Sequence, residues 1–277
     1  MALNKSACPS ASLHDAPTGT SPASCDYRAY SVTAMWRQRR LAARITFESP
    51  EEVRKWGRSW RLRREVEAMA HVRRETSILV PAIIDVCLDD DPAKENCCFV
   101  MERLPGRQMD VAWPEMDDKA RSETVRQLRA YLDELHQLRP SDPGFIGSVT
   151  GGPAYDHRIT NMRTCGPFAS VAEFHDFLVA PVRKSPRPEW FAKYRSQLPD
   201  TYDVRFSHAD LSWENILVDG STGRVTGILD WEMAGYWPEW WEYSKAVRSA
   251  GWWIDIMKQV MVEYPREADL DSDLEMF

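Results

Sequence analysis

The sequence predicts an α+β fold in two parts, a small part that contains β-strands and a larger part that is mainly helical. Two strand-like runs, at 82–88 and 97–102, lie in the first half of the chain, and the residues Asp89-Asp90-Asp91-Pro92 between them are typical of an exposed turn. The segment Leu104-Pro105-Gly106 interrupts this pattern, and the apolar residues after it recur at helical spacing. With 277 residues, 43% of them hydrophobic, the chain has enough apolar material for one bilobal domain or two small ones.

The smaller part is expected to hold a tail and two helices besides the strands. Residues 1–26 are rich in Ser, Ala, Pro and Thr and lack a periodic apolar pattern, which predicts a disordered tail. A helix is predicted over residues 27–44, with Asp26 as its N-cap, and a second over residues 60–75, with Ser59 as its N-cap. The expected buried face of the second helix consists of Leu62, Val66, Met69 and Ala70.

The larger part should combine helices with a short β-rich stretch. Its expected elements, in chain order, are helices over residues 117–138 and 170–179, strands over 204–207, 216–218 and 225–229, and a helix over 240–264. The sequence Asp219-Gly220-Ser221-Thr222-Gly223 between the last two strands is typical of a turn, so these strands are predicted to form a hairpin.

Charge and composition narrow the functional classes. The chain carries 35 Lys plus Arg against 42 Asp plus Glu, a net charge of −7, which disfavours a nucleic-acid partner because phosphates would be repelled. The N-terminus lacks the apolar core of a secretory signal, and the apolar stretch at 78–88 is too short to span a bilayer. None of the six cysteines forms a CxxC pair, and we interpret all six as reduced or structural. The expectation is a cytoplasmic enzyme with no membrane partner.

The residues with the clearest chemical meaning lie between positions 206 and 232. Asp210 is followed five residues later by Asn215, and Asp230 comes 15 residues after Asn215, beyond the predicted hairpin. This is the spacing of kinase catalytic loops, where the first Asp accepts the proton of an attacking hydroxyl. The Asn and the second Asp converge there on metal ions that bridge the phosphates. Any one of these residues alone would be interpreted as a cap or loop former, but the set at this spacing favours catalysis.

The motifs around these residues resemble a known family. His208-Ala209-Asp210-Leu211, Asn215 and Ile228-Leu229-Asp230-Trp231-Glu232 are similar to the aminoglycoside phosphotransferase and choline kinase group. The run from Ala234 to Tyr243 looks like the fungal phosphotransferase-enzyme branch of that group. The similarity extends upstream through Gly166-Pro167-Phe168 and residues 100–106, and it fades before about Glu52.

This resemblance implies a protein-kinase-like bilobal fold and an ATP-dependent enzyme that moves a γ-phosphoryl group onto a hydroxyl of a small molecule. The chain would then comprise a tail at 1–26, a small nucleotide-binding lobe at 27–104 and a large catalytic and substrate lobe at 105–277. By resemblance, Asp210 is the catalytic base, while Asn215 and Asp230 hold Mg²⁺. His208 would brace the catalytic loop, since the chemistry needs no second base.

The resemblance also assigns nucleotide-binding residues in the small lobe. Lys55 is the single Lys between Tyr27 and Ala93, and by resemblance it holds the α- and β-phosphates of ATP. Glu65, with Glu67 as the alternative, would be its helix partner. Met101 and Glu102 end a predicted strand before the lobe boundary, where by resemblance the Glu102 carbonyl and the Leu104 amide would contact adenine.

Three departures from the family pattern carry consequences. No glycine-rich loop precedes Lys55, and the stretch from Met1 to about Pro50 matches the family badly, so the small lobe is expected to be truncated or altered. Ala209 stands where the family usually has Gly, which restricts the backbone if that position needs a positive φ. A pseudokinase that acts as a binding or scaffold module therefore stays an alternative, and a protein kinase is another.

Aromatic residues are concentrated near the end of the chain. The cluster contains Trp231, Tyr236, Trp237, Trp240, Trp241, Tyr243, Trp252 and Trp253. It could form a stacking wall for a substrate, but its helical spacing favours a packing role. Glu239 and Glu242 within it could face a cationic substrate, although pairing with Arg residues is the favoured interpretation.

Overall fold

The small β-sheet forms from the first part of the chain that is described. The structure, a computed structural model, describes residues 44–159, 163–248 and 251–277. Four antiparallel strands, β1 (Arg44–Phe47), β2 (Glu52–Gly57), β3 (Ile83–Cys87) and β4 (Cys97–Glu102), form a sheet in the order β1-β2-β4-β3. The two strands predicted at 82–88 and 97–102 are thus confirmed. The predicted tail at 1–26 and the predicted helix at 27–44 lie outside the described residues except for Arg44, which begins a strand instead.

One long helix, α1 (Ser59–Glu75), packs against this sheet. It begins at Ser59, so the prediction of Ser59 as its N-cap is wrong. Arg58 occupies the cap position, and the Ser59 hydroxyl donates to the Asp89 carbonyl at 2.5 Å. Leu62 and Met69 are buried as predicted, whereas Ala70 is exposed and Ala68 takes its place in the core.

The larger part of the chain is mainly helical, as expected. Its elements as far as residue 200 are β5 (Arg107–Gln108), α2 (Met109–Ala112), α3 (Asp118–Leu135), β6 (Ala154–Tyr155), β7 (Thr164–Cys165), α4 (Val171–Val179) and α5 (Trp190–Arg195). Helix α3 begins where the Asp117 side chain accepts the Ala120 amide, and α4 begins where Ser170 accepts that of Glu173. Side chains at every third or fourth position of α3, such as Leu128, Leu132 and Leu135, are buried.

Two antiparallel strand pairs form the β-rich stretch that the sequence predicts. Strand β8 (Val204–Ser207) pairs with β11 (Gly235–Pro238), and β9 (Ile216–Val218) pairs with β10 (Val225–Ile228). Strand β5, at the start of the larger part, adds to β9. Because β9 and β10 are the two arms of a hairpin, the residues just outside its open end are brought together.

The single helix predicted over residues 240–264 is wrong. The structure has α6 (Trp241–Ala246), α7 (Trp252–Val260) and α8 (Pro265–Leu274) in this region. Gly251 precedes α7 with a φ of +74°, a left-handed conformation that does not continue a helix. Met261 after α7 is extended, so the periodic apolar pattern here belongs to separate helices that contact one another.

The core is dominated by tryptophans, which confirms the packing role that was favoured for the aromatic cluster. Its largest fully buried side chains include Trp231, Trp237, Trp240, Trp241 and Trp253. Cys97, Cys98 and Cys165 are buried free thiols, as expected for reduced cysteines, whereas Cys87 is disulfide-bonded. Among the described helices, none is both long enough and apolar enough to cross a bilayer.

Candidate active site

Lys55 lies at the meeting point of the small sheet and the larger part of the chain. It is on β2, where side chains alternate between the two faces of the sheet, and it points toward α1 with only 5% of its surface exposed. Its Nζ lies 2.7 Å from an oxygen of Glu65 on α1 and 2.6 Å from Oδ1 of Asp230. Glu67, the alternative partner, instead accepts from the Thr150 hydroxyl at 3.0 Å. One ammonium therefore joins three segments of the chain.

The carboxylates around Lys55 determine its charge state. Burial lowers the pKa of Lys55, but the charges of Asp230, Glu65 and Glu232 outweigh this effect and raise it above its usual value. Oxygens of these three carboxylates lie within 4.8 Å of one another. The side chain of Asp230 is 38% exposed, in contrast to the buried Glu65 and Glu232. The cluster is consequently buried on one side and open to a ligand at Asp230.

Backbone geometry presents Asp230 to this cluster. Asp230 directly precedes a short 3-10 helix, Trp231–Met233, and has φ +66° and ψ +60°. Asp tolerates this left-handed conformation better than most residues, so the turn is accessible to a residue that also supplies a carboxylate. The Leu229 amide donates to the Asn215 carbonyl at 2.8 Å, which closes the hairpin of β9 and β10 and brings Asn215 beside Asp230. This proximity of residues 15 positions apart is what the strand–turn–strand pattern predicted.

Asp210 lies in the loop that leads from β8 to the same hairpin. Its backbone carbonyl accepts a hydrogen bond from the Asn215 side-chain amide at 2.9 Å. This bond fixes the position of Asn215 relative to Asp210, five residues earlier. Burial raises the pKa of Asp210 to about 8, with further increases from Asp230, Glu232 and Asp156. The charge of the Lys245 ammonium opposes this shift and lowers the pKa of Asp210.

The loop around Asp210 is braced from two sides. Nδ1 of His208 accepts the Asp210 amide at 3.2 Å, so its Nε2 carries the proton and donates to the Leu229 carbonyl at 2.9 Å. This is the bracing role expected for His208. Burial lowers its pKa to about 4, which keeps the ring neutral near pH 7. Glu242 on α6 accepts the amides of His208 and Ala209 at 2.5 Å and 3.2 Å, so the expectation that Glu242 pairs with Arg is wrong.

Glu232 is a site residue to which sequence reasoning gave no role. It lies two positions after Asp230 in the Asp-Trp-Glu motif, is buried, and forms an ion pair with Arg61 of α1. Its Oε2 is also 3.9 Å from Lys55 Nζ. The Asp-Trp-Glu motif was the signal in the sequence that could have indicated Glu232. Its contacts could not be inferred from spacing, because its partners lie more than 170 positions away in the sequence.

The chain after β4 is where an adenine contact was expected. Met101 and Glu102 end β4, and the Glu102 amide donates to the Ala82 carbonyl at 2.9 Å. Leu104 packs so closely on β10 that a Cβ added to Gly227 would lie 2.4 Å from Leu104 Cδ1. The small sheet and the hairpin that carries Asn215 and Asp230 are therefore joined through this connector.

Solved structures share this fold. The structure of aminoglycoside 2'-phosphotransferase-IIIa with GDP aligns with a TM-score of 0.59 at 15% identity, over 84% of this chain and 78% of that one. The GDP and kanamycin complex of APH(2")-IIia aligns with a TM-score of 0.57 at 16% identity, over 84% and 82% of the two chains. These similarities define the class of fold, and the predicted α+β, protein-kinase-like bilobal fold is confirmed.

Sequence comparison identifies the family within that class. A model of the phosphotransferase enzyme family matches residues 26–264, so the chain belongs to this family. Aminoglycoside 3'-phosphotransferase from Streptomyces ribosidificus is 25% identical over 192 residues, which are 69% of this chain and 64% of that protein. The chain thus spans less than two thirds of that relative. The family resemblance of the sequence motifs is confirmed, while the assignment to a fungal branch stays a prediction.

Proposed function

We propose that the protein is an ATP-dependent phosphotransferase that moves the γ-phosphoryl group of ATP onto a hydroxyl of a small molecule. The observation that supports this most strongly is the double contact of Lys55, which touches Glu65 on one side and Asp230 on the other. A buried Lys oriented by a helix Glu is the arrangement that holds nucleotide phosphates in kinases. The GDP complexes of the structural neighbours support a nucleotide site in this fold.

The carboxylates near Lys55 suit a magnesium ion. Mg²⁺ prefers oxygen ligands, and Asp230 offers a partly exposed carboxylate beside Glu232. Asn215 lies next to them, because its carbonyl accepts the amide of Leu229, the residue before Asp230. We assign Asp230 and Asn215 as the residues that would hold the ion. When bound, the ion would neutralise charge on the phosphates and one of the negative charges that raise the pKa of Asp210.

In the proposed reaction Asp210 accepts the proton of the substrate hydroxyl. The hydroxyl oxygen forms a bond to the γ-phosphorus, the bond between that phosphorus and the bridging oxygen breaks, and ADP leaves with the electron pair. Lys55 and Glu65 position the α- and β-phosphates. The Glu102 carbonyl, the Leu104 amide and Met101 at the end of β4 are assigned to adenine. Residues 27–104 would form the nucleotide lobe and 105–277 the catalytic lobe, in a cytoplasmic protein.

A small-molecule acceptor fits the structure better than a protein acceptor. Only the 3-10 turn Trp231–Met233 and Ala234 lie between Asp230 and strand β11, which pairs with β8 beside the catalytic loop. Protein kinases have a long activation segment after the corresponding Asp. The relatives named above are aminoglycoside phosphotransferases, and one was solved with kanamycin.

The proposal is tested by ATP-dependent turnover with a panel of small hydroxyl compounds, in wild type and in Asp210→Asn. Acceptor-dependent release of ADP is expected in the wild type. Asp210→Asn keeps the size of the side chain but removes the base, so turnover should fall by roughly 10²–10⁴-fold. Turnover of the variant within a factor of about three of wild type would contradict the base assignment.

A further inference from the structure

A large cavity lies in the part of the chain that follows β4, away from the nucleotide residues. Its volume is about 900 Å³, and its walls come from Arg158 and Ile159, from β7, from α4 and the turn that follows it, and from α8. Ile159, Phe177, Leu178 and Leu274 supply much of its apolar lining. A volume of this size is enough for a ligand larger than a simple alcohol.

The segment from Asp156 to Arg158 joins this cavity to the active site. Asp156 lies 2.8 Å from Lys245, and both residues act on the charge of Asp210. His157 contacts Met233, three positions after Asp230, through its Nδ1 at 3.1 Å. Arg158 then lines the cavity and donates its amide to Asp156. The cavity wall is thus continuous with residues that surround the catalytic Asp.

The buried and half-buried charged groups of the cavity are already neutralised. Oδ2 of the buried Asp271 lies 2.7 Å from a guanidinium nitrogen of Arg158 and 2.8 Å from one of Arg248. The carboxylate oxygens of Glu275 lie 2.9 Å and 2.5 Å from nitrogens of the same two arginines. Because each carboxylate has two guanidinium partners, neither is left to compensate a ligand ammonium. Lys184 adds a positive side chain at the exposed edge.

Two residues of the wall have buried polar atoms with capacity for a ligand. Nε of Arg158 donates no hydrogen bond to the residues that the structure describes. Oδ1 of Asp271 is buried and accepts no hydrogen bond from the residues that the structure describes. A buried oxygen acceptor without a donor is costly, and a hydroxyl of a ligand would satisfy it without adding charge. The cavity therefore combines apolar walls, the positive Lys184 at its edge, one buried acceptor and one buried donor, which a hydroxyl can satisfy because it both donates and accepts.

We propose that this cavity receives the acceptor and that the acceptor is an uncharged, largely apolar compound with more than one hydroxyl, not a polycationic aminoglycoside. This inference rests on the proposed phosphotransferase function. An apolar ligand gains free energy by leaving water against the aliphatic and aromatic walls. A polyammonium ligand would lose hydration and meet arginines whose carboxylate partners are already engaged.

Calorimetric titration of the full chain tests the inference, with β-estradiol as the uncharged diol and kanamycin as the polycation. The variant Ala180→Trp puts a large side chain at an exposed position on the cavity, and Ala130→Trp adds the same volume to an exposed position on α3 outside it. Wild type and Ala130→Trp should bind β-estradiol equally. Ala180→Trp should bind it at least about tenfold more weakly, and kanamycin should bind wild type at least about tenfold more weakly than β-estradiol.

A second pair of variants tests the charge argument without altering the walls. Lys184→Glu should strengthen kanamycin binding more than Lys119→Glu, an exposed Lys outside the cavity. Absence of β-estradiol binding, tighter binding of kanamycin to wild type, or equal affinities for Ala180→Trp and wild type would each overturn the inference. Titration of wild type with Mg-ATP separates the two claims. If β-estradiol binds and Mg-ATP does not, the proposed function fails, the cavity no longer has an acceptor to receive, and only its preference for an uncharged ligand stands.

Discussion

Ala209 shows how the loop that carries Asp210 constrains a single residue. It has a φ of +62° and no exposed surface, a conformation that costs an L-residue roughly 1–2 kcal/mol relative to Gly. The sequence pointed to this strain, because the family usually has Gly at this position. The amides of Ala209 and His208 both donate to Glu242, so the loop is held in place by contacts that offset the strain.

Replacement of Ala209 by Gly should therefore cost little. The loss of a buried methyl group is offset by relief of the left-handed backbone, so the free energy of unfolding should stay within about 0.5 kcal/mol of wild type. Ala68→Gly is the matched control, because Ala68 is equally buried but lies within α1, where Gly is disfavoured. The control should lose roughly 1.5–2 kcal/mol in urea unfolding. Equal losses for both variants would contradict a strained Ala209.

Glu242 should make stability depend on pH. Burial raises its pKa to about 7 from an ordinary value of 4.5, against the two backbone amides that lower it. Between these values the unfolded carboxyl has lost its proton and the folded one has kept it, so the contribution of Glu242 to stability falls as pH rises through this window. Glu242→Gln keeps an oxygen acceptor for both amides but does not titrate.

The effect of Glu242 is measured as the difference in melting temperature between wild type and Glu242→Gln at each pH. The melting temperature of wild type minus that of Glu242→Gln should decrease from pH 5 to pH 7.5. Buried histidines such as His208 act in the opposite direction below pH 6.5, but they are common to both proteins and cancel. A difference that stays constant across this range would show that Glu242 does not retain its proton in the folded state.

Among individual residues, those joined by local spacing were predictable and those joined by tertiary contacts were not. Asp210, Asn215 and Asp230 lie within 21 positions, and a hairpin brings such residues together whatever the rest of the fold does. Glu232 meets Arg61, and Glu242 meets His208, only after α1 and α6 have packed. Nothing in the local sequence of Glu242 distinguishes it from Glu239, which does pair with Arg205 at 3.0 Å.

At the scale of elements, the hairpin of β9 and β10 depends on how its turn docks on α3. Gly223 has a φ of +74°, and its carbonyl accepts the Thr124 hydroxyl at 2.7 Å. A Cβ at this position would lie 1.9 Å from the Ala120 carbonyl oxygen, which is backbone and cannot move away without displacing the helix. The turn that aligns Asn215 with Asp230 is consequently fixed by a glycine.

Gly223→Ala should therefore destabilise the protein well beyond the cost of its backbone conformation. Gly151→Ala is the control, since Gly151 has a φ of +80° with no atom within 4 Å of an added Cβ. The control should lose about 1 kcal/mol from the left-handed conformation alone, and Gly223→Ala should lose at least about 2 kcal/mol more in chemical unfolding. Similar losses would mean that the contact with Ala120 does not constrain the turn.

Elements with a strong periodic pattern and clear caps were predicted well, in contrast to the end of the chain. Helix α3 and strands β8 to β10 combine apolar periodicity with capping or turn residues, so local preference and packing agree. Apolar residues recur at helical spacing from 240 to 260, because α6 and α7 each bury apolar side chains. Periodicity alone cannot separate two buried helices, and Gly251 was the local signal that divided them.

At the scale of the whole molecule, Lys55 joins the small sheet, α1 and the hairpin of the larger part. Its choice from sequence rested on the absence of another Lys nearby and on resemblance, since no glycine-rich loop marks the strand. The contact with Asp230 spans 175 positions and could not be derived from spacing. If this junction is the nucleotide site, its chemistry depends on the three segments being held together.

The most direct test of this account is the effect of Mg-ATP on the melting temperature of wild type and of Lys55→Met. Lys55→Met keeps an apolar stem but removes the ammonium, and Lys119→Met on the exposed surface of α3 is the control. Each shift is measured from the variant's own baseline, because loss of a buried ion-pair partner lowers stability by itself. Saturating Mg-ATP should stabilise wild type and Lys119→Met by about 2.7 kcal/mol at 100 times the dissociation constant, and Lys55→Met far less. No shift in wild type, or the same shift in Lys55→Met, would contradict the assignment of Lys55 to the nucleotide phosphates.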